Sequence, residues 1–499
     1  MAHRPSISTD GLDLDLPRRL STSSSSEESS PIFSTSSTSL ILVHDRDDSE
    51  HSFDFPNDED RENEPSSPDF EIRRAWSPAM NSPLVFLFLL SPLLKLGAML
   101  LPNTQLPLKF GIPALFVFAV LAAFSRQIWY MLARYMRKAD LEEVILDAFA
   151  RGRGKEQQRK YLRSISRLGT GLLRALLAVI YLRESVHNVL PILPDDLPLS
   201  PRPILTLAFA ALIIPFASAD SLAAKRVVYA TGASILTYMI WFGCVAVAHA
   251  NGTLLINPGW LRMGALWEGI TTTAFAFTSS STLPLYASLK AGTHHLGLSK
   301  SSVSHSFRIL SFLSIFVAAS FTLPLVFFTA QPKAVILQDP LDLQAAIVAF
   351  NTLTLLLGIP SILVTTPSLP ISERVQRATT IPISKYLIFL IIVVLSLVPT
   401  RIARILSDVL IACACAGTFF LPALIHITIH FFKKPLSIVI PQLPATPSAA
   451  DELLQRKERA LQLRQWRRRI VWDIGVWTLL LPVGGGGFVW SVGRLAGKW

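Results

Sequence analysis

The chain has only three cysteines, and their positions exclude two kinds of site. Cys244, Cys413 and Cys415 all lie in apolar stretches of the sequence. This placement argues against a disulfide framework and against a zinc site. We therefore expect no metal site and no bound cofactor.

Histidine is also scarce, with 10 in the chain. His426 and His430 would share one helix face, and together with His294, His295 and His305 they invite comparison with membrane di-iron oxidases. That chemistry needs more histidines at regular spacings, so we expect that the protein is not an enzyme and has no catalytic residues.

The first seventy-odd residues lack apolar runs, so no secretory signal peptide is expected there. Residues 1–74 contain seven Arg and seventeen acidic residues, a net charge of −10 against +11 for the whole chain. We predict that residues 1–75 form a disordered, acidic, Ser-rich tail. The sequence Arg18-Arg19-Leu20-Ser21 is typical of a basophilic kinase site, although it also occurs by chance, which makes a kinase acting at Ser21 a candidate partner. No nucleic-acid partner is expected.

The remainder of the chain is rich in long apolar runs. Hydrophobic residues make up 51% of the sequence, and they fall in blocks of about 20 residues, the length that crosses a bilayer. The fold class is therefore an all-α polytopic membrane protein in a lipid bilayer. Eleven spans are predicted at residues 82–102, 108–132, 169–191, 203–219, 227–249, 265–289, 306–330, 343–367, 384–400, 407–432 and 470–492.

The distribution of Lys and Arg between loops predicts the orientation. Ten basic residues lie between positions 134 and 167, after the second span, whereas the loops 192–202 and 331–342 each hold a single one. This pattern places the N-terminus in the cytosol and the C-terminus in a lumen. Asn251 begins a glycosylation sequon on a predicted lumenal loop. Residues 450–469 are predicted to form a basic, amphipathic cytosolic connector.

The sixth span contains residues that a plain membrane helix would avoid. Hydroxyls occur at 271–273 and 278–282, and Pro284 removes a backbone donor. Because every backbone group in hydrocarbon needs a partner, we interpret this span as a broken helix that lines a cavity. The alternative is a continuous helix whose hydroxyls bond to its own carbonyls.

The first span invites the same interpretation. Its stretch 91–102 has Pro92 and Pro102 at its ends, with Gly97 and Lys95 between them. A charge near the bilayer centre costs about 2.5–3.5 kcal/mol on insertion scales, so Lys95 should face a cavity or a partner. The alternative is a structural lysine that pairs with a carboxylate or with the carbonyls of a broken helix.

These stretches resemble the amino acid/auxin permease family. Residues 274–286, Ala-Phe-Ala-Phe-Thr-Ser-Ser-Ser-Thr-Leu-Pro-Leu-Tyr, are similar to its Ala-Phe-x-Phe…Leu-Pro-(Ile/Leu)-Tyr signature. Residues 97–102 resemble the Gly-…-Pro close of its first span, and residues 415–424 resemble its Pro-Ala-Leu close of the tenth. The similarity extends over about 80–499 and resembles the vacuolar amino acid transporters of that family.

The resemblance implies a LeuT-like fold, in which spans 1–5 and 6–10 form two inverted repeats and an eleventh helix is added. Spans 1 and 6, the two broken ones, then occupy corresponding positions. The implied substrate-binding residues are Ser91, Lys95, Gly97, Ala274, Phe275, Phe277, Thr278 and Ser279. The sequence departs from the family pattern here, since Ser91 replaces an Asn, Lys95 replaces a Gly, and Thr278-Ser279 replaces Cys/Ser-His. These departures leave open the substrate, the coupling ion and transport itself.

Two further polar groups are candidates for ion coupling, in addition to Lys95. Glu184 and His187 share a helix face of the third span with Arg183, as a proton relay would require, or they form a neutralised cluster near the interface. Asn351 and Thr352 of the eighth span could give oxygen ligands to an ion, or could bond along their own helix.

We expect a secondary active transporter of amino acids, driven by a proton or other ion gradient and independent of sodium. A vacuolar membrane follows from the resemblance alone. The alternative is a sensor or scaffold that keeps the transporter fold and does not transport.

Overall fold

The computed structural model describes residues 79–104, 106–136, 138–150, 154–193, 201–254, 265–279, 281–295, 300–328, 341–369, 383–432, 470 and 472–495. The predicted tail at 1–75, the kinase site at Ser21 and the connector at 450–469 lie outside these residues. The side chains of His294, His295 and His305 are likewise not described.

The described residues contain helices and no strands. In chain order the α-helices are Ser82–Leu90, Leu96–Leu100, Leu108–Met136, Leu141–Phe149, Glu156–Val189, Pro201–Ala217, Lys225–Ala250, Ala265–Ala276, Thr282–His295, Lys300–Phe328, Leu341–Leu356, Ile359–Thr365, Ile383–Ser396, Thr400–Cys415, Leu421–Ile427 and Leu481–Leu495. Short 3₁₀ turns occur at Ser91–Leu94, Leu101–Thr104 and Leu190–Ile192, and π-helical turns at Ala416–Phe420, Thr428–Phe432 and Val476–Leu480.

Each of the eleven predicted spans coincides with a helical part of the described chain, and we number these parts segments 1 to 11. Eight of them are long and apolar enough to cross a membrane. Segments 4 and 9 are shorter apolar helices, at Pro201–Phe216 and Ile383–Ser396. Segment 6 consists of two helices, Ala265–Ala276 and Thr282–His295. The architecture is that of an α-helical polytopic membrane protein.

Several helices begin earlier than the sequence predicted, and the differences are largest for segments 3 and 10. Segment 3 starts at Glu156 and has 34 residues, a length of about 51 Å that exceeds a hydrocarbon core of about 30 Å. Its first turns are polar and exposed, so apolar patterning alone missed them. Segment 10 begins at Thr400, which places the exposed Arg401 and Arg404 in its first turns and not in a loop.

The segments pack in two groups. Segments 1, 2, 6 and 7 contact one another, and segments 3, 4, 8 and 9 contact one another. Segment 5 packs on segments 8 and 1, and segment 10 packs on segments 2, 3 and 6. Segment 11 packs mainly on segment 10, where Gly484 allows it to approach closely: a Cβ at Gly484 would lie 2.7 Å from the backbone nitrogen of Phe420.

Candidate functional site

Segments 1 and 6 are both interrupted near their middle. In segment 1 the chain leaves helical geometry at Lys95, which has φ −125° and ψ −143°. In segment 6 one helix ends at Ala276 and the next begins at Thr282. The expectation of broken helices at these two positions therefore holds. Each break leaves helix-terminal N–H and C=O groups free to bind other groups.

The two broken segments cross where they are interrupted. The second half of segment 1 packs on the first half of segment 6, and the first half of segment 1 packs on the second half of segment 6. At the crossing, a Cβ on Gly97 would lie 2.7 Å from the backbone nitrogen of Ala276. The N–H of Met80 donates a hydrogen bond to the carbonyl of Ser288 at 3.1 Å. The absence of a side chain at Gly97 is therefore what allows the two breaks to meet.

The residues that the resemblance implied for substrate binding lie on these two breaks. Ala274, Phe275 and Phe277 are buried beside the break in segment 6. Thr278 donates its hydroxyl to the carbonyl of Phe275 at 2.8 Å, so this hydroxyl bonds to its own helix, as the simpler interpretation predicted. Ser279 behaves differently, because its buried hydroxyl has no hydrogen-bond partner.

Further buried hydroxyls at the breaks have no partner in the described structure. Ser91, in the turn before Lys95, is 2% exposed, and its hydroxyl makes no hydrogen bond. Thr282, at the N-terminus of the second helix of segment 6, is 3% exposed and is also without a bond. Hydroxyl groups left unpaired in an apolar interior cost free energy, so the packing around the two breaks does not satisfy all of their polar groups.

Lys95 extends from the break in segment 1 to segment 8. The residue is 3% exposed. Its Nζ lies 2.6 Å from the point that a Cβ on Gly358 would occupy, and the carbonyl oxygen of Leu355 lies 3.1 Å from the same point. Segment 8 is itself interrupted here, between Leu341–Leu356 and Ile359–Thr365. The ammonium is thus at the carboxyl end of Leu341–Leu356, where the helix dipole favours a cation, but also at the N-cap of Ile359–Thr365, where the dipole disfavours one.

No carboxylate pairs with Lys95 among the described residues. The described residues do form ion pairs elsewhere, and these include Lys138–Asp147, Arg167–Glu142, Lys385–Asp220 and His426–Asp473. The sequence analysis offered a carboxylate as one possible partner of Lys95, and no such pair is observed among the described residues. The alternative of helix carbonyls agrees with the position of the ammonium at the end of Leu341–Leu356.

A second buried cation, Arg126 of segment 2, lies at the other side of the same break. Arg126 is 2% exposed. Its guanidinium donates to the carbonyl of Leu89 at 3.0 Å and to the hydroxyl of Ser314 in segment 7 at 2.8 Å. Leu89 is near the carboxyl end of the first helix of segment 1, so Arg126 neutralises carbonyls that the break exposes.

A hydrogen-bonded bridge joins segments 2, 10 and 6. Ser125 donates its hydroxyl to the carbonyl of Thr418, and the N–H of Ser279 donates to the hydroxyl of Thr418 at 3.1 Å. Thr418 lies in the π-helical turn Ala416–Phe420. Single π turns inside α-helices occur frequently at functional sites. The π turn at Thr418 places a hydroxyl where it accepts from the N–H of Ser279, a group that the break in segment 6 leaves without a partner in its own helix.

The predicted ion-coupling residues of segment 3 do not join this site through any described contact. Arg183 donates to the carbonyl of Val398, in the turn between segments 9 and 10, at 3.0 Å, and His187 is exposed. Glu184 is half-buried and forms no ion pair with another described residue. Arg183, Glu184 and His187 lie in the last two turns of the helix Glu156–Val189, and both sequence-based interpretations of this group stay predictions.

The two candidates in segment 8, Asn351 and Thr352, have different neighbours. Thr352 directs its hydroxyl to the carbonyl of Ser185 in segment 3, at 3.4 Å, and so helps to join two helices. The side-chain oxygen of Asn351 is buried without a partner among the described residues, and the residue lines a cavity between segments 1, 3, 5 and 8. Asn251, the glycosylation candidate, is exposed just after the C-terminus of segment 5.

Three features of the site were not found from the sequence. Arg126 could have been found, because a charge within the apolar run 108–132 carries the same signal that drew attention to Lys95. The Gly358-Ile-Pro360 stretch could have indicated the interruption of segment 8. Nothing in the sequence indicates the π turn at Thr418, because it is created by packing.

A comparison with protein-family models and with curated proteins finds no match to this chain.

Proposed function

We propose that the protein is a secondary active transporter of amino acids with a LeuT-like fold. The observation that carries this proposal is the crossing of two interrupted helices, segments 1 and 6, beside the buried Lys95. Interrupted membrane helices that meet near the bilayer centre are where secondary transporters bind substrates. The N-terminus of the helix Thr282–His295 offers N–H groups to a substrate carboxylate, and its dipole favours an anion there.

The packing of the segments supports two repeats of five. If five is added to each number in segments 1–5, and subtracted in segments 6–10, four contacts transform into four others. Segment 5 contacts 8 and segment 10 contacts 3; segment 3 contacts 9 and segment 8 contacts 4; segment 1 contacts 7 and segment 6 contacts 2; segment 1 contacts 5 and segment 6 contacts 10. A chain of ten unrelated helices has no reason to pack with this correspondence. Segment 11 is then an addition outside the repeat.

The proposed driving ion follows from Lys95. In place of a bound sodium ion, its fixed ammonium balances the carboxylate of the substrate and the carbonyls at the helix ends. Transport is therefore proposed to be sodium-independent, coupled to protons or to exchange. The proposed location is the vacuolar membrane, with the N-terminus in the cytosol and the C-terminus in the lumen.

Uptake by purified protein in proteoliposomes tests the proposal. A panel of labelled amino acids is offered under a proton gradient, under a sodium gradient and with unlabelled amino acid inside. We expect saturable uptake of at least one amino acid without sodium. An absence of flux for every amino acid under all three conditions would contradict transport, and a requirement for sodium would contradict the role of Lys95.

A reporter fused after Trp499 tests the topology. If eleven spans follow a cytosolic N-terminus, the reporter is lumenal, and Asn251 is accessible to glycosylation on the same side. A cytosolic reporter would contradict an odd number of spans.

One observation favours a second candidate function, a sensor that does not transport. The Lys95 side chain occupies the space beside Gly358, at the boundary between the two groups of segments, and so could act as a fixed plug. A sensor of this kind would bind an amino acid without moving it across the membrane. Saturable binding without flux, together with flux gained on substitution Lys95→Gly, would favour the sensor.

A further inference from the structure

The helix of segment 3 extends well beyond the span that the sequence predicts. The predicted span begins at residue 169, but the helix begins at Glu156, so residues 156–168 add about 20 Å at its start. We name these residues the extension. The headgroup region on each side of a bilayer is only about 5–7 Å deep. With the predicted boundary, most of the extension therefore lies in water and not in lipid.

The extension has an exposed apolar stripe. Tyr161, Ile165 and Leu168 are 68%, 46% and 72% exposed. Positions i, i+4 and i+7 share one face of a helix, so these three side chains form a continuous row. The described part of the chain leaves this row uncovered. An exposed apolar stripe in water marks an interaction surface.

Cations follow one edge of this stripe. Lys160, Arg163 and Arg167 recur at i, i+3 and i+7, and all three are exposed. Lys160 and Arg167 lie about 80–100° around the helix from Leu168, a separation that a long side chain covers. Arg167 also pairs with Glu142 at 2.8 Å. The extension thus combines an apolar row with positive charge, so a partner that is both acidic and apolar fits it.

The chain itself contains a segment of this chemistry. Residues 51–72 carry eight acidic side chains and a single basic one, Arg61. The segment contains Phe53-Asp54-Phe55 near its start and Asp69-Phe70-Glu71-Ile72 at its end, so acidic and apolar residues alternate in both places. Its charge and its apolar side chains are therefore complementary to those of the extension.

The segment joins the helices at the end where the extension lies. Met80, just before segment 1, belongs to one buried cluster with Tyr130, which is near the end of segment 2. Segment 2 leads to the extension through residues 137–155. The 25 residues from Phe55 to Met80 span at most about 80–90 Å. This is several times the spacing of about 10 Å between packed helices, so the segment can reach the extension.

We propose that residues 51–72 dock on the extension of the same molecule, with their aromatic side chains on the Tyr161 stripe and their carboxylates toward Lys160 and Arg163. Because the segment is tethered, its effective concentration reaches the millimolar range, so a weak intrinsic affinity is sufficient. The interaction does not depend on the transport proposed above, since it is defined by contact alone.

Photocrosslinking in the full-length protein tests the proposal. Benzoylphenylalanine replaces Tyr161, the protein is placed in vesicles of phosphatidylcholine and phosphatidylserine, and the adducts are identified by mass spectrometry. We expect adducts with residues 51–72 of the same molecule. Tyr229 is the matched control position, because it is a tyrosine with a similar exposure of 72%, near the start of segment 5. It should give no such adducts.

Charge reversal assigns the contact. The double variant Lys160→Glu/Arg163→Glu should reduce the yield of these adducts about threefold or more, because exposed ion pairs are weak individually but two of them are reversed. The further substitutions Asp58→Lys and Glu59→Lys should restore the yield. Arg401→Glu/Arg404→Glu reverses two exposed cations of segment 10 and should leave the yield unchanged.

Several results would overturn the proposal. Adducts of the Tyr161 probe with lipid in place of residues 51–72 would assign the surface to the membrane. Adducts that form only between different molecules would exclude docking within one chain. An equal yield from the Tyr229 probe, an unaltered yield in Lys160→Glu/Arg163→Glu, or the absence of any adduct with residues 51–72 would show that this segment does not occupy the extension.

Discussion

Replacing Lys95 by Met should make the protein more stable and less active. A lysine near the bilayer centre costs about 2.5–3.5 kcal/mol on insertion scales. The Lys95 ammonium has no ion pair within the described residues, and the compensation visible among them is its place at the carboxyl end of Leu341–Leu356. This contributes at most about 0.3–1 kcal/mol, because the ammonium also lies at the N-cap of Ile359–Thr365. Methionine keeps the length and removes the charge, so we expect a gain of about 2 kcal/mol in the free energy of unfolding.

The same substitution should slow amino acid uptake at least about tenfold, because a surrogate for a bound cation requires the charge. Stability is measured by unfolding in one detergent, and uptake is measured in proteoliposomes with equal amounts of inserted protein. Lys109→Met is the matched control, since Lys109 is an exposed lysine in segment 2. It should change neither stability nor uptake. Opposite changes in stability and activity at one residue are characteristic of a group retained for function.

Three results would refute this reasoning. If Lys95→Met transports normally, the charge is not needed. If it is less stable than the parent protein, the ammonium has compensating interactions that outweigh its burial. If Lys95→Gly transports faster than the parent protein, the side chain is a plug, and the sensor becomes the better proposal.

Three further substitutions test the geometry of the breaks. Gly97→Ala should destabilise the protein by about 1–3 kcal/mol and reduce uptake, because its Cβ meets the backbone of segment 6; Gly243→Ala, where nothing lies within 4 Å, should not. Arg126→Met should destabilise by about 1–2 kcal/mol, since two charged hydrogen bonds are lost and one buried charge is relieved; a gain in stability would show that these bonds do not offset the cost of burying the charge. Thr418→Val should lower the free energy of unfolding by about 1–3 kcal/mol, because it leaves the buried N–H of Ser279 unpaired. Thr428→Val is its control, since it loses only a bond within its own helix. Equal losses of stability in the two variants would contradict the bridge.

The sequence predicted where helices would break but not what would lie against the breaks. Proline, glycine and hydroxyl residues weaken a helix locally, so the interruptions at Lys95 and after Ala276 could be expected from composition. The contact between Lys95 and Gly358 could not, because it joins residues more than 260 positions apart and depends on how two groups of helices pack.

The ion-coupling candidates show more clearly how little the sequence alone predicts about the role of a polar residue. Asn351 and Thr352 are adjacent in the sequence, yet Thr352 bonds to segment 3 while Asn351 lines the cavity on segment 5. Neighbouring residues on a helix point about 100° apart, so they rarely serve one site. Polarity in an apolar run therefore identifies a residue as unusual, whereas the neighbouring segments determine its role.

Lys95 also bears on the choice between transporter and sensor. Its backbone belongs to segment 1, which packs with segments 2, 6 and 7, while its ammonium lies on Gly358 of segment 8, which packs with segments 3, 4 and 9. In a transporter whose two groups rock against each other, the ammonium must leave Gly358 in each cycle and can then approach a substrate carboxylate at the breaks. In a sensor fixed in one state, the ammonium stays where its burial is costly, and a methionine would fill the same space with greater stability. The retention of a costly cation at the boundary between the two groups is therefore better explained by movement than by a plug.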